Sequence, residues 1–143
     1  MIDLPIFQND TKYSAIGSVG APCVEILAGL NRSLETVIAL IDTGADFVYA
    51  APEFLDRVGA PILGVTDVNG AGAHNYHAVS IQIPGHDRGY VFRVIARDML
   101  ERDYSLVLGR SFLQYCKLVY NGPKLRHGLT FYPLSIPRDR MPL

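Results

Sequence analysis

An all-β fold with little helix is what this sequence predicts, and three observations predict it. Short segments rich in β-branched and aromatic residues recur at a spacing of about 8–12 residues along most of the chain. Turn formers separate them, with thirteen glycines and nine prolines available. Stretches of helical character are few and short, which points to a β-sandwich or barrel. The chain has 143 residues, enough for one domain, and 49% are hydrophobic, too many for a disordered chain.

The elements follow in order. Val24, Ile26 and Ala28 alternate with Glu25 and Leu27 as a strand, and Asn31-Arg32-Ser33 reads as the turn after it. Thr36 to Ile41 is β-rich and apolar at both parities, so it is expected to be a central strand buried on both faces. It runs into Asp42-Thr43-Gly44-Ala45. Phe47 to Ala50 forms a second short strand. Pro52 to Val58 reads as a helix that opens on Pro52 and Glu53 and is stopped by Gly59 and Pro61. Val79, Ile81 and Ile83 alternate with Ser80 and Gln82. Tyr90, Phe92 and Val94 do the same across the turn Pro84 to Gly89, which makes a hairpin. Ser105 to Leu108 is another buried strand. After Gly109-Arg110, Ser111 is expected to cap a short helix through Cys116. Lys117 to Tyr120 and Leu129 to Tyr132 flank the turn Asn121-Gly122-Pro123. These elements suggest an N-terminal arm over 1–20, a domain over 21–133 and a tail over 134–143.

Composition narrows the function. The formal net charge is −1, so no field draws the chain to nucleic acid or to an anionic membrane. The start Met-Ile-Asp-Leu-Pro lacks the basic and apolar regions of a signal peptide. No run approaches the ~18 apolar residues that would span a bilayer. A cytoplasmic protein is expected, although the sequence is compatible with a piece of a longer chain. Cys23 and Cys116 lie far apart and read as reduced core thiols. His74 and His77 are close together but have no carboxylate or thiol at ligand spacing. Neither a metal site nor a cofactor is expected, and both histidines read as surface residues.

Asp42-Thr43-Gly44 is the segment that carries chemistry. A carboxylate that ends an apolar strand sits where burial and a neighbour can tune it. Gly44 permits a sharp turn and close approach of a second backbone. Alone the tripeptide is weak evidence: chance places it in about 3% of chains this long, and a strand followed by an Asx-turn accounts for it.

The wider context is more specific. Ala39-Leu40-Ile41-Asp42-Thr43-Gly44-Ala45-Asp46 resembles the active-site segment of retroviral-type aspartic proteases. Leu106-Val107-Leu108-Gly109-Arg110-Ser111-Phe112-Leu113 resembles that family's second signature, in which a strand passes through Gly-Arg into a short helix under the active-site turn. Gly70-Ala71-Gly72 stands where the family has its glycine-rich flap. The likeness covers residues 20 to 133. The resemblance implies a closed β-barrel or sandwich with one or two short helices and a hairpin flap. It implies Asp42 as the catalytic carboxylate, with Thr43, Gly44 and Arg110 in support. It implies substrate contacts from Ala45, Asp46, Gly70, Ala71 and Gly72. Phe47, Val48, Val107 and Leu108 would line substrate pockets, and Tyr76 would pack under the flap or fill the core. Arg110 is expected to pair with a buried Asp46.

The family's reaction needs two such carboxylates, and this chain has one Asp-Thr-Gly and no internal repeat. The resemblance therefore implies a homodimer acting on a peptide or protein, with the chain ends, including Leu129 to Tyr132 and a segment near the N-terminus, interleaved at its base. Phe47 after Asp46, the added helix Pro52 to Gly59 and a flap without Gly-Gly pairs are more like cellular and bacterial members than viral ones. Two other readings stand beside the protease: a catalytically silent dimeric scaffold that binds peptides, and a regulatory domain of a longer polypeptide.

Overall fold

The computed structural model describes residues 1–9, 20–68, 70, 72–100 and 102–136. Their strands are β1 (Ile2–Pro5), β2 (Phe7–Asn9), β3 (Ala21–Leu30), β4 (Ser33–Ile41), β5 (Val48–Ala50), β6 (Gly64–Asp67), β7 (Ala73–Gln82), β8 (Gly89–Ala96), β9 (Leu106–Leu108), β10 (Cys116–Asn121) and β11 (Arg126–Phe131). The α-helices are α1 (Pro52–Val58) and α2 (Arg110–Leu113), and a 3-10 turn follows at Pro133–Ser135. The protein is therefore mostly β, as the alternating segments predict. No helix among the described residues is long and apolar enough to cross a membrane.

Eight strands form one sheet in the order β2-β3-β4-β9-β5-β8-β7-β6. β3 also pairs with β7, through Leu27 with Gln82, Ala28 with Ile81 and Gly29 with Ser80. The β3–β4 hairpin turns at Asn31-Arg32, and β7 and β8 pair antiparallel as the expected hairpin, from Tyr76 with Ile95 to Gln82 with Gly89, with Ile83 outside the strand. β4 and β9 run parallel in the register Ala39 with Leu106, Leu40 with Val107 and Ile41 with Leu108. β4 is central, but its burial alternates: Val37, Ala39 and Ile41 are buried, whereas Ile38 and Leu40 are half-buried. The expectation of two covered faces is corrected here. The strand's second apolar parity is left partly open, and that face leads to Asp42.

The second sheet has three strands in the order β1-β11-β10. β1 and β2 belong to the stretch that the sequence sets apart as an arm, and both are hydrogen-bonded into the sheets, Leu4 opposite Leu129 and Phe7 opposite Cys23. β11 is occupied on both edges by strands of its own chain. A second copy would have to meet this sheet at the outer edge of β1 or β10, not at β11.

α1 starts at Pro52 and ends at Gly59, whose φ of 73° is the left-handed conformation that glycine tolerates. α2 differs from expectation. It is four residues long, Gly109 is its N-cap, and no side chain caps it. Ser111 lies inside the helix, and its buried Oγ accepts the Val48 N–H at 3.1 Å. The hydroxyl joins α2 to β5 instead of closing a helix end. Phe112 beside it is fully buried, 5.2 Å from the Phe131 ring and 5.1 Å from the Phe92 ring. One residue of α2 thus packs the two sheets together.

His77 also departs from expectation. It is buried, and its Nδ1 donates to the Ala60 carbonyl at 3.0 Å, tying β7 to the segment after α1. Cys23 is buried and Cys116 half-buried, both as free thiols. Burial pushes Cys23 up to about 11, with Asp103 adding to the rise and Asn9 opposing it. Burial pushes Cys116 up to about 12.

Two predictions follow from this packing. Ser111→Ala leaves the buried Val48 N–H without its acceptor, at a cost of about 1–3 kcal/mol; an unchanged urea midpoint would remove that bond from the account. The thiolate, not the thiol, is the nucleophile, so both cysteines should resist iodoacetamide at neutral pH in the native protein and react readily in denaturant. Because the folded state holds the neutral thiols, this contribution to stability is complete below the unfolded thiol value and is lost as pH rises from about 9 toward 11 and 12. Rapid native labelling would show the thiols to be exposed.

Candidate active site

The parallel pair β4–β9 delivers the site. The Asp42 N–H donates to the Leu108 carbonyl at 3.1 Å, which carries the strand pairing one residue past Ile41. There the chain turns. The Asp42 carbonyl accepts the Ala45 N–H at 3.2 Å, and its Oδ1 accepts the Gly44 N–H at 2.9 Å. The Asx-turn that accounts for the bare tripeptide is thus present, and it holds the carboxyl group against its own turn. Asp42 is half-buried, and Thr43 and Gly44 are exposed.

The segment after β9 locks this turn. Arg110 N–H donates to the Ala45 carbonyl at 2.8 Å, and Ser111 N–H donates to the Asp46 carbonyl at 3.0 Å. The backbones pass so closely that a Cβ on Gly109 would lie 2.1 Å from the Phe47 carbonyl oxygen and 2.7 Å from that of Ala45. Glycine is required by that contact. Arg110 donates through one nitrogen to the Thr43 carbonyl at 2.7 Å and through another to the Asp46 carboxylate. The ion pair is not buried as expected: the side chains are 54% and 31% exposed. Arg110 leaves the helix toward solvent, so the pair is screened and its partner charge is never stripped of water.

The structure therefore brings Asp42, Thr43, Gly44, Ala45, Asp46 and Arg110 together in one turn. Gly70 and Gly72 lie elsewhere, at the tip of the β6–β7 hairpin, with φ of 77° and 94°. The hairpin pairs Gly64 with Tyr76 through Asp67 with Ala73, and the Val68 N–H donates to the Gly72 carbonyl at 3.2 Å. Ala71 lies outside the described residues.

Two cavities flank these elements. One of about 380 Å³ is lined by Phe47, Val65, Thr66, Tyr76, Arg93 and Ile95; Tyr76 belongs to the hairpin itself, opposite Gly64, and packs against the core, with the Arg93 guanidinium 5.4 Å from its ring centroid. The other, about 230 Å³, contains Asp42 in its wall together with Leu40, Val107, Tyr104 and Arg97. Phe47 lines the first cavity and Val107 the second. Val48 and Leu108 line neither: both are wholly buried in the core. Among the described residues no group of His, Cys, Asp or Glu is placed to hold a metal ion.

Arg97, Leu40 and Tyr104 are the residues that sequence reading missed. Arg97 follows β8, and its N–H donates to the Ala50 carbonyl at 3.0 Å. Continuing the alternation of β8 through Arg93 and Ile95 would have placed it on a definite face. The parallel pairing of β5 with β8, which brings it near Asp42, has no local sequence signal.

The chain resembles a retropepsin-like aspartic protease from Rickettsia conorii, at 15% identity over 90% of this chain and 94% of that one, with a TM-score of 0.52. It also resembles the retroviral protease-like domain of Ddi1 from Leishmania major, at 16% identity, 79% and 96% coverage and a TM-score of 0.46. A third likeness is to a foamy viral protease-reverse transcriptase in complex with double-stranded DNA, at 14% identity and a TM-score of 0.46. It covers 68% of this chain, which spans 16% of that longer one. No protein-family model and no curated protein matches the sequence. The first likeness shows a retropepsin-like fold.

The lock on the turn makes a ranked prediction. Gly109→Ala drives a methyl group into backbone oxygens that cannot move independently, and should cost about 3 kcal/mol, the upper end for overpacking. Arg110→Ala removes an exposed ion pair and an exposed hydrogen bond, together about 1–2 kcal/mol. Urea unfolding of the two variants checks the order. An Arg110 variant less stable than the Gly109 variant would mean that the guanidinium, not the backbone contact, holds the turn.

Proposed function

We propose that the chain is an aspartic endopeptidase whose site is completed by a second copy, with Asp42 of each copy facing the other across a two-fold axis. One observation carries the reading. A half-buried carboxylate ends a parallel strand pair, held by the Gly44 N–H, in a turn whose Thr43 and Gly44 are exposed. The retropepsin-like fold supports it.

The chemistry needs no cofactor in this reading. Two carboxylates across one water cannot both ionise cheaply, so the pair shares one proton. The ionised member takes a proton from the water while the neutral member donates to the scissile carbonyl. The water oxygen adds to the carbonyl carbon and gives a tetrahedral gem-diol. The C–N bond then breaks, and a proton passes to the leaving nitrogen. Thr43 hydroxyls would bond across the axis and keep the two turns in register. Asp46 and Ala45 would meet substrate main chain on the floor, and Gly70, Ala71 and Gly72 would meet it from the hairpin tip, acting as a flap.

The same reading takes 21–133 as the protease domain, in which the β3–β7 pairing closes the barrel, with 1–20 as a docked arm and 134–143 as a tail. It places the chain nearer cellular and bacterial members than viral ones, because α1 stands between the active-site turn and the hairpin, and it places the protein in the cytoplasm. A dimer that binds peptides without cleaving them would be the silent scaffold instead.

Asp42→Asn is the informative variant. An asparagine Oδ1 still accepts the Gly44 N–H, so folding and association should persist while hydrolysis of a fluorogenic peptide library disappears. Specific activity of the wild type should fall on dilution through the dimer constant. Its pH profile should be a bell with an acidic optimum, since a doubly ionised pair cannot donate to the carbonyl and a doubly protonated pair cannot accept from water. Constant specific activity in a preparation shown to be monomeric would sink the two-chain site.

A further inference from the structure

Asp42 shares its cavity with a cation. Arg97 lines the same 230 Å³ space, with Leu40, Val107 and Leu100 forming apolar wall between polar groups. Its backbone is fixed by the hydrogen bond to Ala50. Its side chain is exposed, and the guanidinium lies over the Tyr49 ring, 5.2 Å from the centroid. Tyr49 is only 5% exposed and so gives the guanidinium a rigid platform. The phenol feels both charges: burial pushes it up, Arg97 pulls it down, and Asp42 pushes it up again. A π face takes none of the N–H donors of the guanidinium, which remain disposed as a fork suited to a carboxylate.

The other charges on this wall are engaged within their own loop. Asp98 Oδ1 accepts the Leu100 N–H at 2.9 Å, and Arg102 donates to the Tyr104 hydroxyl at 3.0 Å. Among the described residues of this wall their formal charges, −1 and +1, offset each other, which leaves Arg97 and Asp42. In a site built from two copies, the pair of Asp42 side chains shares a proton and carries one negative charge, while two copies of Arg97 bring two positive ones. The completed cleft is then cationic beside its catalytic pair, although the whole chain has a formal charge of −1.

We propose that Arg97 is a specificity-determining residue and that the preferred peptide carries a carboxylate side chain, Asp or Glu, beside the scissile bond. The inference rests on the endopeptidase reading and adds its substrate class. The methylene stem of a glutamate would pack on Leu40 and Val107 while its carboxylate meets the Arg97 fork. A lysine at that position would set like charge against Arg97 and be rejected.

The test uses the full chain and internally quenched peptides that differ at one flanking position, bearing Glu, Gln, Leu or Lys. Asp42→Asn serves as the blank. The wild type should favour Glu over Gln by about tenfold in kcat/KM. In Arg97→Gln that ratio should collapse toward one, and in Arg97→Glu the preference should invert in favour of Lys. A ratio within one preparation does not depend on how much of it is folded, and inversion is a gain that a misfolded variant cannot mimic. Asp42-dependent cleavage without a Glu preference, or with a preference that survives Arg97→Gln, overturns the role of Arg97 and leaves the endopeptidase standing. Absence of any Asp42-dependent cleavage overturns the endopeptidase reading and this inference with it.

Discussion

Four backbone groups and one missing side chain hold the candidate site together. The carbonyls of Ala45 and Asp46 accept the N–H groups of Arg110 and Ser111, and Gly109 has no Cβ to keep the two segments apart. These segments are far apart in sequence, and each ends a strand of the parallel pair β4–β9. The pair alone would leave both chain exits free to diverge. Because the N–H groups opening α2 have no partners within the helix, the carbonyls of the Asp42 turn satisfy them. The helix start and the turn therefore specify each other. Ser111 extends the lock to β5 through its hydroxyl, and Phe112 extends it to the second sheet through the rings of Phe92 and Phe131. Asp42 sits where strand pairing, turn and helix start converge, which fixes its backbone, and the Gly44 N–H holds its carboxylate.

Much of the fold was legible because it is encoded locally. Pro52, Glu53 and Gly59 bound α1 within a single segment, and the β7–β8 hairpin is written in alternation on either side of one turn. Partnerships between distant segments were not legible. Ser111 looks like a helix cap because capping is the local use of a hydroxyl; its partner, Val48, belongs to another element. His77 lies among polar and small residues that suggest a surface, yet the approach of Ala60 covers it. Val48 and Leu108 look as available as Phe47 and Val107, because an apolar run without alternation carries no record of which parity faces inward. The candidate turn was legible as a motif, whereas its surroundings, Arg97 and Tyr49 among them, were set by the parallel pairing of β5 and β8.

Exposure distinguishes the supporting residues more sharply than their identities do. A carboxylate and a guanidinium at Asp46 and Arg110 suggest a buried pair, whose loss would strand a charge in a low dielectric. With 31% of the Asp46 side chain and 54% of the Arg110 side chain open to water, solvent takes up most of that charge, and the pair guides geometry more than it adds stability. The same openness runs through Thr43 and Gly44. A turn so tightly fixed by backbone bonds and yet exposed has been stabilised for its shape, since its own packing returns little.

A fold shared at 15% identity does not carry an activity with it, because one scaffold can hold many sites. Chemistry is carried by groups whose placement the fold does not need. Gly109 and Ser111 fail that criterion, since the close approach to the Asp42 turn and the bond to β5 require them. Asp42 passes it. Its backbone N–H and carbonyl make the bonds that continue the strand and close the turn, and any residue with an N–H could make them. Its side chain contributes one acceptor to the Gly44 N–H, which a neutral asparagine would supply as well. What the carboxylate adds over the amide is a charge and a proton that can be exchanged, beside an open cavity and near a cation on a rigid ring. The fold does not require those properties, and for that reason the functional reading is built around Asp42.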